Sequence, residues 1–172
     1  VAAISFPELP RPLHVHPHAK LVTPEFLAGG IVVVIDNLRA SVTMTAALFH
    51  GCPFVLPTLT VEDALAARSS HPSALLGGER GGILIPGFDL DNSPRAYTRD
   101  AVAGRPLIFT TVNGTAALLQ SRLAHRILVG GGFEADPGSL ADPAEPVELV
   151  QSDRAGAKVK DVPMPVKKGH ER

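Results

Sequence analysis

The chain has 172 residues with a formal net charge of -1, and 45% of its residues are hydrophobic against 19% charged. These values predict a globular chain with one sizeable core and exclude a disordered one. The charge balance gives no broad basic surface for nucleic acid or anionic membrane, and no apolar segment reaches the ~20 residues that span a bilayer. A single cysteine excludes an internal disulfide and, with no signal-peptide pattern at the start, favours a cytoplasmic location.

Short apolar segments bounded by Gly, Pro or polar residues predict buried strands. In chain order they cover residues 31–35, 54–56, 74–76 and 107–110, with a fifth at 126–129 and further short ones at 13–16 and 147–150. Helical patterns alternate with them. The first places Val42, Ala46 and Phe49 on one apolar face and ends at Gly51, the second starts at an N-cap, Thr60, and a third lies within residues 113–125.

This alternation predicts an α/β fold with a mainly parallel sheet, helices on both faces and a Rossmann-like three-layer architecture. Two regions interrupt the pattern. Residues 77–97 form a long loop rich in Gly, Pro and polar groups, which is often functional. Residues 131–172 hold few large apolar side chains, so we predict an α/β core at residues 1–130 and a weakly ordered Pro/Gly/charge-rich tail at residues 131–172.

Polar and charged side chains gather where the predicted strands end. In an open parallel sheet, ligands bind at the carboxyl ends of the strands, so we expect these residues to meet. They are Asp36, Asn37, Arg39, Ser41 and Thr43 after residue 35, Gly77, Gly78, Glu79, Arg80, Gly81 and Gly82 after residue 76, and Thr111, Asn113, Gly114 and Thr115 after residue 110.

A carboxylate such as Asp36 at a strand end suits a hard cation such as Mg2+, and an arginine such as Arg39 suits a phosphate or another oxyanion. Each feature also has an ordinary explanation when taken singly. Asp36 would be an N-cap, Arg39 half of a surface ion pair, "GGERGG" a flexible turn and Asn113 a helix cap. Their convergence on one edge of the sheet favours a site for a metal-bridged phosphate.

The histidines and the cysteine carry less information. His14, His16 and His18 recur at every second residue, which fits Zn2+ binding or an exposed strand face, and the absence of a nearby Cys or acid favours the exposed face. Cys52 follows a helix end and is predicted to be buried and structural. No GxSxG, Walker A or GxGxxG motif is present, which argues against a nucleotide-binding module.

Four motifs in order, "VVVIDNLRAS", "GGERGG", "PGFDLDNSP" and "TTVNGT", resemble the 2-phosphosulfolactate phosphatase family. The resemblance runs from about residue 13 to residue 129. It implies an α/β fold and a Mg2+-dependent hydrolysis of 2-phosphosulfolactate to 3-sulfolactate and phosphate, a step in coenzyme M biosynthesis. A small-molecule phosphate ester is therefore the expected partner, with neither nucleic acid nor membrane, and self-association into a homo-oligomer is left open.

The resemblance also selects site residues by motif. Asp36, Arg39, Glu79 and Arg80 match its acid and arginine pairs, and the remaining matches are Ser41, Asn92, Ser93, Thr110, Thr111, Asn113, Gly114 and Thr115. We assign Mg2+ to Asp36 and Glu79, and the anionic groups of the substrate to Arg39 and Arg80. The turn after residue 110 would donate N–H and O–H groups to oxyanions. The nucleophile is either an activated water or Asp36 itself.

The chain departs from the family pattern at several positions. Asn37 stands in place of an apolar residue, Asp91 in place of Gly, and Val112 in place of Thr or Ser. Val112 removes a hydroxyl, and losing one oxyanion donor can cost ~2.7–4 kcal/mol in a transition state. The pattern is also lost soon after Val129, which indicates an altered or truncated C-terminal part. The alternative function is therefore an inactive homologue, or an anion-binding module without turnover.

Overall fold

In a computed structural model of the chain, the structure describes residues 12–131, 147–151 and 157–160. The strands in these residues are β1 Ile31–Ile35, β2 Val55–Thr58, β3 Leu75–Arg80, β4 Ile83–Leu84, β5 Leu107–Thr110, β6 Arg126–Gly130, β7 Val147–Gln151 and β8 Ala157–Lys160. The helices are α1 Pro24–Leu27, α2 Ala40–Phe49, α3 Val61–Ser70, α4 Arg99–Val102 and α5 Gly114–Gln120, and two 3-10 turns lie at Ala19–Leu21 and Pro94–Ala96.

The described strands form one mixed sheet in the order β1-β6-β7-β8-β2-β5-β3-β4. Parallel pairing joins β1 to β6, β2 to β5 and β5 to β3, whereas β4, β7 and β8 pair antiparallel with their neighbours. The α/β class is therefore confirmed, and the strands predicted within residues 31–129 do pair in parallel. The mixed character comes from β4 and β8, which were not predicted, and from β7.

The sheet contains two parallel groups, which β7 and β8 connect. Along the hydrogen-bonded order, β1 and β6 run opposite to β2, β5 and β3, and within the described residues Val55 and Val159 are the one registered pair between β2 and β8. In a flat sheet this would place the end of β1 far from the ends of β3 and β5. Residues after β1, β3 and β5 nevertheless line one cavity, so the sheet is not flat, and accumulated strand twist is the general source of such a shape.

Alternating side chains of β2, β3 and β5 pack into two separate clusters of buried residues. Val55, Leu75, Leu107 and Phe109 join one cluster with residues of α2 and α5. Leu56, Leu76 and Ile108 join the other, with Ala64 of α3. Since successive residues of a strand face opposite sides, this group of strands buries both faces. That burial explains why their sequences are short apolar segments without alternation.

Some elements differ from the sequence predictions. Residues 13–16 are exposed and form no strand, so that prediction is wrong. The strand β1 was expected to be buried, yet Ile31, Val33 and Ile35 are 51–70% exposed. The cause is its position at the end of the hydrogen-bonded order, where β6 is its only partner among the described strands.

The helices follow the expected boundaries with one difference in orientation. Thr60 caps α3 through a reciprocal capping box with Asp63, as predicted for an N-cap. In α2, every residue except Phe49 is buried, so the helix has no separate apolar face. Phe49 itself is 43% exposed, contrary to the prediction. Small side chains allow α2 to be enclosed on all sides.

The segment predicted as one long loop, residues 77–97, is partly regular. The strand β3 continues to Arg80 and turns back through Gly81 and Gly82 into β4. Both glycines have positive φ, 61° and 79°, which a two-residue hairpin turn of this kind requires. The predicted strand at residues 147–150 is present as β7, and the rest of the predicted tail lies outside the described residues apart from residue 131 and β8. None of the described helices has the length and apolar character needed to cross a bilayer.

Candidate active site

The loops that follow β1, β3 and β5 line one cavity of about 340 Å³. This volume suits a small ligand. The lining residues are Asp36, Leu38, Arg39, Glu79, Gly81, Gly82, Asn92, Thr111, Val112 and Asn113. Segments near residues 36, 80 and 112, which are distant in the chain, thus meet at one place, as ligand sites at strand ends do.

Six of the residues selected from the sequence line this cavity: Asp36, Arg39, Glu79, Asn92, Thr111 and Asn113. The others, Ser41, Arg80, Ser93, Thr110, Gly114 and Thr115, are not among the lining residues. Nothing in the sequence indicated a role for Leu38. Gly81 and Gly82 were expected at this edge without an assigned role, and Val112 was considered only for its missing hydroxyl.

Asp36 is held at the end of β1 by the first turn of α2. Its backbone N–H donates to Ser41 Oγ at 2.8 Å, and the Ser41 N–H donates to the Asp36 carbonyl at 3.0 Å. The Ser41 hydroxyl in turn donates to the Val34 carbonyl at 3.3 Å. Ser41 is fully buried. It therefore closes the strand-to-helix loop and fixes the backbone of Asp36.

The Asp36 carboxylate lies close to the start of α5, and Gly114 makes this approach possible. A Cβ atom at Gly114 would lie 2.9 Å from Asp36 Oδ2 and would overlap the Cβ of Ala40. A side chain at this position would therefore separate α5 from the loop after β1. The structure thus explains on steric grounds why the "TTVNGT" motif has a glycine at this position.

Arg39 occupies the N-cap position of α2 and lines the cavity beside Asp36. Its side chain makes no hydrogen bond or ion pair with any residue that the structure describes, and it is half-buried. It is also the only cationic residue among those that line the cavity. Its guanidinium is therefore available for an anion.

Glu79 connects two walls of the cavity. Its Oε2 accepts a hydrogen bond from the Gly82 N–H at 2.8 Å, and its Oε1 accepts one from the Val112 N–H at 3.3 Å. The carboxylate therefore links the β3–β4 turn to the turn after β5. Each carboxylate oxygen keeps a further lone pair for another ligand.

Arg80 faces away from Glu79, because successive residues of a strand point to opposite sides. Its guanidinium donates to the carbonyls of Leu59 and Glu79, at 2.9 and 2.8 Å, and to Thr110 Oγ1 at 2.9 Å. These contacts tie the end of β2 to β3 and β5. The structure thus gives Arg80 internal partners, and a contact between Arg80 and substrate stays a prediction.

The threonines after β5 form a compact cap at the start of α5. The Thr115 N–H donates to Thr111 Oγ1 at 3.2 Å, and the Thr111 N–H donates to Thr115 Oγ1 at 3.1 Å. The Thr115 hydroxyl also donates to the Thr111 carbonyl at 2.8 Å. Asn113 occupies the N-cap position but makes no side-chain capping bond. The threonine pair therefore caps the helix, and the Asn113 side chain remains exposed at the cavity.

Asn92 lines the cavity from the loop between β4 and α4. It is only 5% exposed, and its Oδ1 is buried without a hydrogen-bond partner. Its backbone carbonyl accepts a bond from Thr43 Oγ1 at 3.3 Å. The next residue, Ser93, donates its N–H to Asp91 Oδ1 at 2.8 Å. Asp91, which replaces the glycine of the family pattern, thus stabilises a local turn.

The histidines that the structure describes and Cys52 are not among the residues that line the cavity. The rings of His14 and His16 pack edge-on against Phe26 at centroid distances of 5.2 and 5.6 Å. No group of three or more His, Cys, Asp or Glu side chains in the described residues is arranged to hold a metal ion. Cys52 is buried, as predicted, and burial raises its pKa to about 11 from the ordinary 9.0.

Fold and cavity together define an α/β protein with a polar cavity at the strand ends, lined by two carboxylates, one guanidinium and the turn after β5. The chain belongs to the 2-phosphosulpholactate phosphatase family, whose model matches residues 18–137. This match covers all the residues that line the cavity. The sequence resemblance to this family is therefore confirmed.

Curated relatives agree with this assignment. The chain is similar to a probable 2-phosphosulfolactate phosphatase of Caldicellulosiruptor saccharolyticus, with 43% identity over 118 residues, which is 69% of this chain and 49% of the relative. It is similar to a protein of the same name from Clostridium acetobutylicum, with 52% identity over 110 residues, 63% of this chain and 47% of the relative. The chain thus spans about half the length of these relatives.

Proposed function

We propose that the chain takes part in the Mg2+-dependent hydrolysis of a small anionic phosphate monoester. The proposed substrate is 2-phosphosulfolactate, and the products are 3-sulfolactate and phosphate. The observation that carries this proposal is the meeting of Asp36, Arg39 and Glu79 at one cavity. Support also comes from the names of the relatives, which are probable 2-phosphosulfolactate phosphatases. A cytoplasmic location and a place in coenzyme M biosynthesis belong to the same proposal.

The family resemblance implies Mg2+, and the residues present fit this ion. Asp36 and Glu79 offer carboxylate oxygens to one cavity. Mg2+ is commonly bound through one or two carboxylates together with substrate phosphate, so a larger acidic cluster is not required. Asp36 and Glu79 would hold the ion, which when bound would polarise the phosphoryl oxygens. Without a cation, two carboxylates facing one guanidinium would repel an anionic substrate.

The residues of the chain itself would bind and orient the substrate. The Arg39 guanidinium has the fork geometry that fits two oxygens of a phosphate, sulfonate or carboxylate group. The Asn113 side chain and the Thr111 hydroxyl would donate hydrogen bonds to the remaining oxyanions. Arg80 would act indirectly in this scheme, by holding β2, β3 and β5 in register beside Glu79.

Two nucleophiles fit the same arrangement. In one mechanism, Asp36 helps to orient a water that attacks phosphorus. In the other, a carboxylate oxygen of Asp36 attacks phosphorus, the bond between phosphorus and the ester oxygen breaks, and water then hydrolyses the aspartyl phosphate. In both, the leaving alcohol takes up a proton and becomes the 2-hydroxyl group of sulfolactate.

Further proposals concern the organisation of the chain. We propose that residues 1–130 form the α/β phosphatase-like core and that residues 131–172 form a Pro/Gly/charge-rich region that adds β7 and β8 to the sheet. We also propose that the parallel groups belong to a Rossmann-like three-layer arrangement with helices on both faces. The two clusters on opposite faces of β2, β3 and β5 support the last point. A homo-oligomer is compatible with this organisation.

Phosphate release from 2-phosphosulfolactate, measured with and without a chelator, tests the proposed function. We expect release that stops on chelation and returns when Mg2+ is added in excess. Release that ignores chelation would reject the metal. A folded chain that binds inorganic phosphate but releases none from the ester would favour the alternative, an anion-binding module without turnover.

A further inference from the structure

Asn92 presents an unusual buried acceptor at the wall of the cavity. Its Oδ1 is the only buried side-chain polar atom without a hydrogen-bond partner among the residues that the structure describes. Buried polar atoms in native proteins are nearly always paired, and each exception calls for an explanation. Because Asn92 also lines the cavity, a bound group is a natural source of the missing partner.

The backbone around Asn92 is firmly held, so a loose loop does not explain the unpaired atom. Thr43 of α2 donates to the Asn92 carbonyl. On one side of Asn92, the hydroxyl of the buried Tyr97 donates to the Asp91 carbonyl at 2.6 Å, and on the other side the Ser93 N–H is bound by Asp91. The backbone of this loop is therefore fixed, while Asn92 Oδ1 is buried without a partner.

The chemistry of the cavity indicates what the partner is. Asp36, Glu79 and Asn92 Oδ1 all offer oxygen acceptors. The phosphate, sulfonate and carboxylate groups of the proposed substrate also offer acceptors alone at neutral pH. A cation between the two sets of acceptors would bind both of them at once, which a single hydrogen-bond donor does less strongly. An amide oxygen is a normal ligand for a hard divalent cation, as a carboxylate is.

We propose that Asn92 Oδ1 is the third protein ligand, with Asp36 and Glu79, of a divalent cation in this cavity. The inference rests on the proposed function and adds a residue to its metal site. It also agrees with the absence, in the described residues, of a metal-binding group made of three acids, Cys or His. Here the third ligand is neutral.

A neutral third ligand has a consequence for anion binding. A divalent cation with two carboxylates is electrically neutral, so the positive charge of Arg39 is left over to attract the substrate. An aspartate at position 92 would cancel that charge while offering the cation a stronger ligand. The inference therefore predicts that Asn92→Asp changes metal affinity and phosphate affinity in opposite directions, which a structural role for Asn92 would not do.

The experiment uses the full chain and two titrations. The first measures Mn2+ binding without substrate, by the paramagnetic resonance signal of free Mn2+. The second measures binding of inorganic phosphate by calorimetry at saturating Mg2+. The variants are Asn92→Leu, which keeps the shape and removes the oxygen, and Asn92→Asp. Asn113→Leu is the matched control, because Asn113 lines the same cavity with an exposed side chain.

We expect Asn92→Leu to weaken Mn2+ binding at least ~10-fold, since loss of even an outer-sphere partner costs 10- to 100-fold. Asn92→Asp should bind Mn2+ at least as tightly as the wild type and bind phosphate more weakly. Asn113→Leu should leave Mn2+ binding unchanged. If Asn92→Leu fails to fold, the opposite shifts of Asn92→Asp decide the matter.

Equal Mn2+ affinity in the wild type and Asn92→Leu would overturn the inference and leave the proposed function standing. Parallel shifts of the two affinities in Asn92→Asp, or no shift in either, would overturn it as well. A wild-type chain that binds no Mn2+ would overturn both the inference and the proposed metal, and phosphate release from 2-phosphosulfolactate would then show whether turnover survives without it.

Discussion

The carboxylate of Asp36 packs against the backbone of Gly114, so closely that a Cβ atom at Gly114 would lie 2.9 Å from Oδ2. The two residues are far apart in the chain. Asp36 directly follows β1, and Gly114 is the first residue of α5. Their contact joins the acid of the first motif to the helix of the last one. It makes the position of Asp36 depend on the absence of a side chain at residue 114.

Gly114→Ala tests this dependence. The new methyl group would push α5 away from Ala40 and Asp36, so we expect a loss of ~1–3 kcal/mol in the free energy of unfolding and a lower rate of phosphate release. Denaturant titration and a phosphate assay measure the two effects. Gly104→Ala is the control, because residue 104 has open space but a φ of 72°. It should lose stability at unchanged rate, and equal rates for both variants would contradict the role of the contact.

Asp36→Asn tests the central acid itself. The amide has the same shape, so the fold should persist, as judged by circular dichroism and thermal unfolding. Turnover should fall on the order of 10⁴-fold, because either a cation ligand or the nucleophile is lost. Asp100→Asn changes an exposed acid of α4 and should leave the rate unchanged. A fully active Asp36→Asn variant would show that the chemistry lies elsewhere.

The two arginines of the motifs should behave differently. Arg39→Ala should weaken phosphate binding ~10- to 100-fold with little change in stability, because its side chain has no partner in the described residues. Arg80→Ala should instead lower the free energy of unfolding by ~1–3 kcal/mol, since it removes three hydrogen bonds, one of them to the buried Thr110 hydroxyl.

Calorimetry with inorganic phosphate and denaturant titration of both variants separate these effects. Arg39→Lys and Arg80→Lys serve as conservative comparisons that keep the charge. If Arg80→Ala lost phosphate affinity at full stability, Arg80 would contact the substrate directly, as the sequence prediction had it.

Val112→Thr is expected to increase activity. Val112 is 56% exposed at the cavity, and the resemblance to the family implies a hydroxyl residue at this position. Threonine has nearly the same shape and would restore one donor for an oxyanion, whose loss can lower kcat by ~10²–10³-fold. We therefore expect a rise in kcat of at least ~10-fold in a steady-state assay. Val112→Ala is the matched control. An equal rise in kcat in that variant would show that the smaller side chain, rather than the hydroxyl group, causes the effect.

Cys52 should be unreactive in the folded chain. Burial raises its pKa to about 11, so only ~0.1% of the thiol is ionised at pH 8. A thiol reagent such as Ellman's reagent should label the native protein slowly and the denatured protein at once. Because the unfolded thiol ionises near pH 9, its protonated burial stabilises the fold below that pH, and this contribution is lost as the pH rises towards 11. Rapid native labelling at pH 8 would contradict this.

The sequence predicted the elements whose side chains are enclosed on both faces. The strand β5 was placed to the residue, and β2 and β3 were found within a few residues, because a strand buried on both sides is uniformly apolar. The bounds of β1 were also predicted correctly, but the strand was expected to be buried and is partly exposed. An edge strand and a central strand can share the sequence "IVVVI", since exposure depends on which neighbours lie beside it.

Features that depend on contacts between distant residues could not be predicted from the sequence. The sequence did not predict the end of β3 or the strand β4, because "GERGGI" is as consistent with a loop as with a hairpin turn. The opposite orientations of Glu79 and Arg80 follow from the extension of β3 through both residues. Once that strand is known, its alternation sends one side chain to the cavity and the other to Thr110.

The three walls of the cavity come from turns near residues 36, 80 and 112, and none of them contains the site alone. Chain closure over such separations is entropically expensive and comes late in folding. The pocket therefore has no precursor in any single hairpin or helix, and it exists only in molecules whose strands are already in register. The fraction of chains that bind ligand thus reports the cooperatively folded population, and a bound ion would stabilise the whole core rather than one loop.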